Sequence, residues 1–199
     1  MRVAVLMGGS SEERGVSFAS GCQVSMALRS LGHEVVSIDA AVGVMPRELE
    51  ERVLASEIGE ADVPGPLGAQ RGDNRLPEAK VLPSEPTLRD VDVAFIAMHG
   101  GAGEDGRVQT LLDFAGVPYA GTGPVGCALA MDKDLTKRLL RDEGVATPHW
   151  IAGETPAAAV VDRLGLPTIV KPQSGGSSVR LTLARDVTAW GRRDLSTAS

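Results

Sequence analysis

The strongest constraint on the fold is the way the chain begins. Val3–Met7 is a continuous apolar run, which predicts a buried strand. Gly8–Gly9 ends the run with residues that allow a sharp turn or a close backbone approach. Ser10–Ser11 then offer capping oxygens for a helix, and Glu12–Glu13 place negative charge in its first turn. Acidic first turns also occur for dipole reasons alone, but carboxylates at a sheet edge suggest a cationic ligand group such as an amine.

Composition argues against several classes of function. Apolar residues make up 43% of the 199 residues and aromatic residues 3%, so we expect an aliphatic core and no stacking platform for nucleic acid. The net charge is -6 without a basic block, which again argues against a nucleic-acid partner. We expect no signal peptide and no membrane association. Cys22 and Cys127 match no metal spacing, and we expect buried thiols in a cytoplasmic protein.

The first forty residues predict a βαβ unit. Apolar residues recur at helical spacing, and Gly32 is expected to end the helix as its C-cap. Residues 33–39 alternate and are rich in β-branched side chains, which indicates a second strand, parallel to the first. A charged amphipathic helix is expected over 45–56 and a surface loop over 57–80. The apolar stripe of the first helix consists of Val16, Ala19, Val24, Ala27, Leu28 and Leu31.

The next elements extend this unit to a doubly wound α/β domain. A strand predicted over 91–98 runs into His99 and a loop with four glycines. A helix over 107–114 and a short strand over 116–120 follow. A structural turn with a satisfied histidine is one interpretation of the loop. The glycine density favours a second one, close backbone approach to a ligand, since ordering four glycines is entropically unfavourable.

Beyond residue 123 the pattern predicts an antiparallel region. The expected elements are a helix over 125–140 with a break near 131–132, a strand over 147–152, a helix over 157–164, strands over 166–172 and 179–184, and a helix start at 186–190. A Gly/Ser loop over 173–178 separates the last two strands, so they are expected to form a hairpin. We therefore expect two domains, 1–123 and 124–199.

Two lysines stand out because lysine is scarce here, with four lysines against sixteen arginines. Lys133 follows the predicted helix break, and Lys171 precedes the Gly/Ser loop. A compact ammonium on a long stem suits phosphate contact, and backbone N–H groups of such a loop can cradle polyphosphate. The loop joins two strands and so differs from a P-loop. A lid over nucleotide phosphates and a plain hairpin turn both stay open as interpretations.

Five motifs follow one another along the chain. They are Leu6–Ser17, His99–Gly106, Pro118–Gly123, Ala130–Lys133 and Ile169–Val179. With these motifs, over about residues 3–190, the sequence resembles the D-alanine–D-alanine ligases of the ATP-grasp superfamily. The resemblance implies a Rossmann-like, pre-ATP-grasp α/β domain with a doubly wound parallel sheet. It also implies that the first portion of an α+β ATP-grasp domain follows.

The resemblance further implies a reaction and the residues that serve it. ATP and one D-alanine would give an acyl phosphate, which the amine of a second D-alanine attacks, for peptidoglycan precursor synthesis. The implied substrate-binding residues are Glu13 for the ammonium, His99 near the carboxylate, Val16 and Ser17. The implied ATP-binding residues are Lys133, Lys171, Gly176, Ser177 and Ser178. Ser177 would also act with Glu13 and a tyrosine to fix substrate and lid.

The chain departs from the family pattern at several positions. Gly15 and Gly175 stand where acidic residues are usual, and Arg180 stands where glycine is usual. The family's metal, Mg²⁺ or Mn²⁺, and its triad tyrosine would be bound or supplied beyond residue 199, since Tyr119 belongs to another motif. We therefore expect a truncated chain that is inactive alone and prone to aggregate, from a family of cytoplasmic homodimers.

Three other interpretations compete with this one. A D-alanine–D-lactate ligase would share the same scaffold, with the selecting residues beyond this chain. A non-catalytic product of a truncated or frame-shifted gene would explain the unpatterned residues 191–199. A dinucleotide-binding dehydrogenase is disfavoured, because the residues after the first strand lack the three-glycine spacing.

Overall fold

The structure is a computed structural model that describes residues 1–56, 82, 85–176 and 181–186. It divides into two units, Met1–Ala128 and Leu129–Ser199. The domain boundary expected between residues 123 and 124 falls at the start of the helix that spans this junction, and it stays a prediction. Several predictions lie outside the described residues: the loop over 57–80, Ser177, Ser178, Arg180, and the helix start beyond residue 186.

A five-stranded sheet forms the centre of the first unit. Its strands are β1 (Arg2–Met7), β2 (Glu34–Asp39), β3 (Gly43–Val44), β4 (Val93–Ile96) and β5 (Tyr119–Ala120), in the spatial order β3-β2-β1-β4-β5. β1 pairs in parallel with both β2 and β4, and β4 pairs in parallel with β5, whereas β3 runs antiparallel to β2. The parallel sheet predicted from the βαβ pattern is confirmed. The short strand β3 is an addition that the sequence pattern did not indicate.

Helices cover both faces of this sheet. One apolar cluster joins alternate residues of β1 to α1 (Arg14–Ser30) and α2 (Arg47–Ala55); it includes Val3, Val5, Met7, Phe18, Cys22 and Val53. The other joins the intervening residues of β1 to α3 (Arg107–Ala115); it includes Ala4, Leu6, Val108 and Leu112. Successive strand residues point to opposite faces, so a continuous apolar run suits a strand that is buried on both sides. The doubly wound α/β architecture is therefore confirmed.

Helix α1 packs on the sheet through a face that matches the predicted one only in part, since Val24 and Leu28 pack against the core. Its buried residues are Ser17, Phe18, Gly21, Cys22 and Ser25. Val16 and Leu31 of the predicted apolar stripe are 42% and 74% exposed. A Cβ on Gly21 would lie 2.6 Å from Met7 Cβ, so the helix approaches the sheet closely. The prediction was wrong for Val16 and Leu31, because the close approach at the centre of the helix favours small side chains over large apolar ones.

Helix α1 also begins later than predicted. Its first residue is Arg14, and Glu13 occupies the N-cap position. Ser11 Oγ accepts the N–H of Glu13 at 3.3 Å, so this hydroxyl orders the turn before the helix. Glu12 and Glu13 therefore precede the helix and do not lie in its first turn. At the other end Gly32 has φ +83°, as expected of a glycine that closes a helix.

One helix runs across the junction of the two units, and the rest of the second unit contains short helices and an antiparallel pair of strands. Helix α4 (Pro124–Met131) ends before α5 (Lys133–Asp142), and the carboxylate of Asp132 between them accepts the N–H groups of Asp134 and Leu135 as an N-cap. The predicted helix break is thus confirmed. Helix α6 (Ala157–Leu164) precedes the antiparallel strands β6 (Thr168–Val170) and β7 (Thr182–Ala184). The antiparallel pairing that the hairpin prediction required is confirmed.

Residues 147–152 do not form the predicted strand. Side chains of α5 hold this segment instead: Lys137 Nζ donates to Thr147 Oγ1 at 3.1 Å and to Pro148 O at 2.8 Å. Trp150 Nε1 donates to Asp134 Oδ1 at 2.8 Å. The segment was mistaken for a strand because bonds to helical side chains, which local patterning does not show, take the place of a strand ladder.

Candidate functional site

Glu13 and His99 come together at the carboxyl ends of β1 and β4. The turn after β1 meets the loop after β4 where Ser11 Oγ donates to His99 O at 2.6 Å. A Cβ on Gly100 would lie 2.6 Å from Glu13 Oε2, so the Glu13 carboxylate lies against the backbone that follows His99. In open α/β sheets, ligands bind at this edge. The structure therefore brings together the two residues that the sequence singled out in the first domain.

The imidazole of His99 is half-buried and contacts helix α1. Its Nε2 lies 3.1 Å from Ser20 Oγ, and the tautomer decides which atom donates the hydrogen bond. This contact ties the loop after β4 to the N-terminal half of α1. The helix that begins after Glu13 therefore also orients the ring of His99.

Ser17 and Val16 occupy different environments although they are neighbours. Ser17 is fully buried, and its hydroxyl accepts the N–H of Gly8 and donates to Ala97 O, both at 2.9 Å. This hydroxyl joins the end of β1 to the end of β4 and so supports the frame of the site. Val16 is exposed beside it. Substrate contact by either residue stays a prediction.

Packing explains part of the glycine density in the loop after β4. A Cβ on Gly103 would lie 2.4 Å from Met98 Cβ, and one on Gly106 would lie 2.4 Å from Pro124 O. Gly106 also has φ +93°, where other residues are strained. Gly100, by contrast, is crowded by the carboxylate of Glu13. Contacts within the protein therefore account for three of the four glycines, and close approach to a ligand stays a prediction.

A buried ion pair that the sequence reasoning missed lies next to Glu13. Arg14 Nη1 and Nη2 donate to Asp39 Oδ1 and Oδ2 at 2.9 Å and 2.5 Å, and Nη1 also donates to Gly9 O at 2.6 Å. The side chains of Arg14 and Asp39 are 14% and 8% exposed. A signal was available, because Asp39 ends a strand predicted to lie parallel to β1. A parallel strand of this kind would bring its carboxylate to the same sheet edge as Glu13.

Three of the chain's four lysines interact in the second unit. Burial and then the charge of Lys171 lower the pKa of Lys133, and the same two causes lower the pKa of Lys137. Like charges held together favour the binding of an anion. The sequence reasoning identified Lys133 and Lys171 but missed Lys137. The scarcity of lysine and the i,i+4 spacing from Lys133 were the signals that pointed to it.

The segment after β6 is held to the start of α5. Lys133 donates through its backbone N–H to Gln173 O at 3.0 Å and through Nζ to Gly175 O at 2.7 Å. Gln173 Nε2 donates to Asp132 Oδ2 at 2.8 Å. These bonds fix Lys133 beside the first residues of the Gly/Ser loop, which the structure describes as far as Gly176.

Two features are absent from the described residues. Their His, Cys, Asp and Glu side chains form no group of three or more that could hold a metal ion. None of the helices in that part of the chain is long and apolar enough to cross a membrane.

Comparison with known families decides where the first unit belongs. Residues 2–122 match the family model described as the D-ala D-ala ligase N-terminus. The chain belongs to this D-alanine–D-alanine ligase family. The membership predicted from the five motifs is therefore confirmed.

Individual D-alanine–D-alanine ligases are similar along almost the whole chain. The ligase of Synechococcus sp. (strain JA-3-3Ab) is 36% identical over 190 residues, which are 94% of this chain and 48% of that protein. The solved structure of the Coxiella burnetii ligase has a TM-score of 0.67 at 27% identity and covers 96% of this chain and 58% of its own. The solved structure of the Bacillus anthracis ligase complexed with ATP has a TM-score of 0.63 at 30% identity. That match covers 96% of this chain and 52% of the Bacillus anthracis chain. The chain thus spans about half the length of the curated relatives it matches.

Proposed function

We propose that this chain supplies the D-alanine site and the first phosphate contacts of a D-alanine–D-alanine ligase. In the proposed reaction one D-alanine and ATP give D-alanyl phosphate. The amine of a second D-alanine attacks its carbonyl carbon, a C–N bond forms and phosphate leaves. The product serves peptidoglycan precursor synthesis. The observation that carries the proposal is the Glu13 carboxylate held against Gly100 beside His99, in a chain of the ligase family.

In this proposal Glu13 binds the ammonium of the first D-alanine. A carboxylate fixed at a sheet edge suits an ammonium ligand, because opposite charges attract more strongly where protein excludes water. His99 lies beside it and would hold the carboxylate of the same D-alanine. Val16 is exposed near Glu13 and would line the site. Ser17 is buried and would support the backbone on which the site is built. Glu13 and His99 would then orient the two ends of the amino acid.

The lysines would contact the phosphates of ATP. Lys133 and Lys171 are the proposed contacts, and Lys137 adds positive charge to the same cluster. ATP, when bound, supplies the phosphoryl group that activates the first D-alanine. Gly176, Ser177 and Ser178 are proposed, from the family resemblance, to cover these phosphates, with Ser177 also helping to fix the substrate. Positioning and charge neutralisation are the main needs of phosphoryl transfer.

Further proposals concern the whole protein, because the relatives are about twice as long as this chain. Mg²⁺ or Mn²⁺ is the proposed metal, and the described residues do not fit a site for it, so its ligands are assigned elsewhere. We also propose a homodimer in the cytoplasm that acts on D-alanine and ATP. Neither nucleic acid nor membrane is a proposed partner, in keeping with a net charge of -6.

A binding experiment on the 199-residue chain tests the central proposal. D-alanine is titrated into the wild type and into Glu13→Gln and Glu12→Gln, with binding followed by calorimetry or NMR. The two variants lose the same charge at adjacent positions. We expect about a tenfold or larger loss of affinity for Glu13→Gln, because the ammonium loses its charged partner, and little change for Glu12→Gln. Equal binding of L-alanine, or an unchanged Glu13→Gln, would contradict the proposal.

A further inference from the structure

The ion pair between Arg14 and Asp39 is built around the turn that carries Glu13. The guanidinium of Arg14 binds both carboxylate oxygens of Asp39 and the carbonyl of Gly9. Asp39 Oδ1 also accepts the N–H groups of Gly9 at 3.2 Å and of Ala41 at 3.0 Å. Gly9 is therefore held through both its N–H and its C=O. The pair closes a ring of hydrogen bonds across the turn between β1 and α1.

Gly8 shows how tightly this turn is enclosed. It has φ +75°, and a Cβ on it would lie 2.5 Å from Asp39 Oδ1, 2.9 Å from Phe18 Cζ and 3.0 Å from Arg14 Nη1. The guanidinium of Arg14 also stacks over the ring of Phe18, at 4.7 Å from its centroid. One side of the turn is thus closed by the pair and by an aromatic ring that belongs to the core.

The other side of the turn is tied to the loop that carries His99. Ser11 Oγ donates to His99 O, and Ser17 Oγ joins Gly8 to Ala97. The segment from Gly8 to Arg14 is therefore fixed between β2 on one side and the end of β4 on the other. Glu13 is the last residue before Arg14, so any shift of the Arg14 anchor moves Glu13.

Stability alone does not account for placing an ion pair here. Helix α1 is already anchored by its buried face and, near its other end, by a second ion pair, in which Arg29 Nη1 lies 2.5 Å from Glu50 Oε2. A buried ion pair adds little net stability, because desolvation offsets the attraction. The Arg14 guanidinium donates to the turn, at Gly9 O, and to the end of β2, at both carboxylate oxygens of Asp39.

We propose that Arg14 and Asp39 are positioning residues that hold Glu13 in the geometry needed to bind the ammonium of a D-amino acid. They act through the turn and do not touch the substrate themselves. The bidentate shape of Arg14, more than its charge, is what the turn requires. The inference rests on the proposed D-alanine site and deepens it.

The test compares two arginines of the same helix. Arg14→Lys and Arg29→Lys each keep a positive charge and each lose a bidentate bond to a buried carboxylate. D-alanine affinity, thermal stability and amide hydrogen exchange are measured on the full 199-residue chain, with Glu13→Gln as the reference for a lost site. We expect Arg14→Lys to lower D-alanine affinity about tenfold to a hundredfold, since small misplacements of binding groups have effects of that size.

Hydrogen exchange gives a readout that does not depend on D-alanine. Arg14→Lys should speed exchange at the amide of Gly9, which bonds to Asp39, and Arg29→Lys should not. Both variants are expected to lose some thermal stability, so stability alone is not the criterion. Adding a high concentration of sucrose, which stabilises the fold, should not restore the D-alanine affinity of Arg14→Lys, because the variant loses the geometry of the turn and not the fold.

The outcomes separate the two proposals. If Glu13→Gln abolishes D-alanine binding while Arg14→Lys and Arg29→Lys weaken it equally or not at all, the positioning role is overturned and the D-alanine site stands. If the wild type does not bind D-alanine, or Glu13→Gln binds it normally, the proposed function and the inference from it both fail. A loss of D-alanine affinity in Arg14→Lys but not in Arg29→Lys, with faster hydrogen exchange at the Gly9 amide, supports the inference.

Discussion

The carboxylate of Glu13 lies so close to Gly100 that a Cβ atom on residue 100 would meet Glu13 Oε2 at 2.6 Å. Gly100 has φ +66° and ψ 175°, a combination that is strained for any other residue. The two loops of the candidate site therefore define each other's position. The backbone after β4 determines where the carboxylate delivered by β1 can lie.

Replacing Gly100 with alanine should displace the Glu13 carboxylate and weaken D-alanine binding. Backbone strain is expected to lower the free energy of unfolding by about 1–3 kcal/mol. Displacement of the carboxylate should add a loss of affinity of about tenfold or more. Thermal unfolding and a D-alanine titration measure the two effects separately.

Gly116→Ala is the control for backbone strain at a positive φ. A double-mutant cycle is the control for the contact between residue 100 and the Glu13 carboxylate. Gly116 has φ +68°, and no atom of the described residues lies within 4 Å of a Cβ built there, so Gly116→Ala should lose stability without losing affinity. In a Glu13→Ala background, Gly100→Ala should be less destabilising by about 1 kcal/mol, because the clash is gone. Equal destabilisation in both backgrounds would argue that the contact is absent.

Ser17→Ala should destabilise the protein more than a surface serine does. The Ser17 hydroxyl is fully buried and satisfies both the N–H of Gly8 and the carbonyl of Ala97. Its removal leaves two buried groups unpaired, so we expect a loss of about 1–3 kcal/mol in the free energy of unfolding, measured in urea. Ser30→Ala removes an exposed hydroxyl of the same helix and should change stability by less than about 0.5 kcal/mol. Similar losses in the two variants would contradict the bridging role of Ser17.

The elements that local patterning predicted well are those whose signal lies in their own residues. The apolar run of β1 and its turn into α1 specified a strand buried on both faces, and short spacing to β2 specified parallel pairing. The helix break near residues 131–132 was predicted, and Asp132 caps the helix that follows it. Glu13 and His99 were found because each follows a strongly apolar strand, and parallel strands bring their carboxyl ends to one edge.

The features that were missed depend on specific packing and side-chain contacts, and not on the pattern of apolar residues. The buried face of α1 follows from how closely Gly21 lies to Met7, which apolar spacing does not report. Residues 147–152 were mistaken for a strand because Lys137 and Asp134 bind them through side chains. Contacts of this kind leave no signature in apolar periodicity, so the sequence predicted residues of the candidate site but not the contacts that support them.

Lys171→Gln should weaken anion binding in the second unit. Lys171 contributes to lowering the pKa of Lys133 and of Lys137, so its charge acts on both. Loss of that charge should raise both pKa values, which NMR of the lysine side chains can follow. It should also reduce affinity for inorganic triphosphate, used as the probe, by about tenfold, equivalent to about 1.4 kcal/mol.

Arg163→Gln is the matched control for the lysine prediction, because it removes one positive charge from an exposed position of α6. It should leave triphosphate affinity within about twofold, since exposed charges are screened by salt. An equal loss in the two variants would show that net charge, and not the lysine cluster, governs binding. Added salt should weaken triphosphate binding to the wild type more than to Lys171→Gln.

Cys22 should make the protein less stable at high pH. The thiol is fully buried, and burial, followed by the charge of Glu50, raises its pKa from 9.0 to about 11. Between these values the unfolded chain releases a proton that the folded chain retains, so stability is complete below about pH 9 and falls as pH rises towards 11. The loss should reach about 2 kcal/mol near pH 10.5. Urea unfolding of the wild type and of Cys22→Ala measures it: the difference between their stabilities should shrink over this range by that amount, and a constant difference would show that the thiol ionises equally easily in both states.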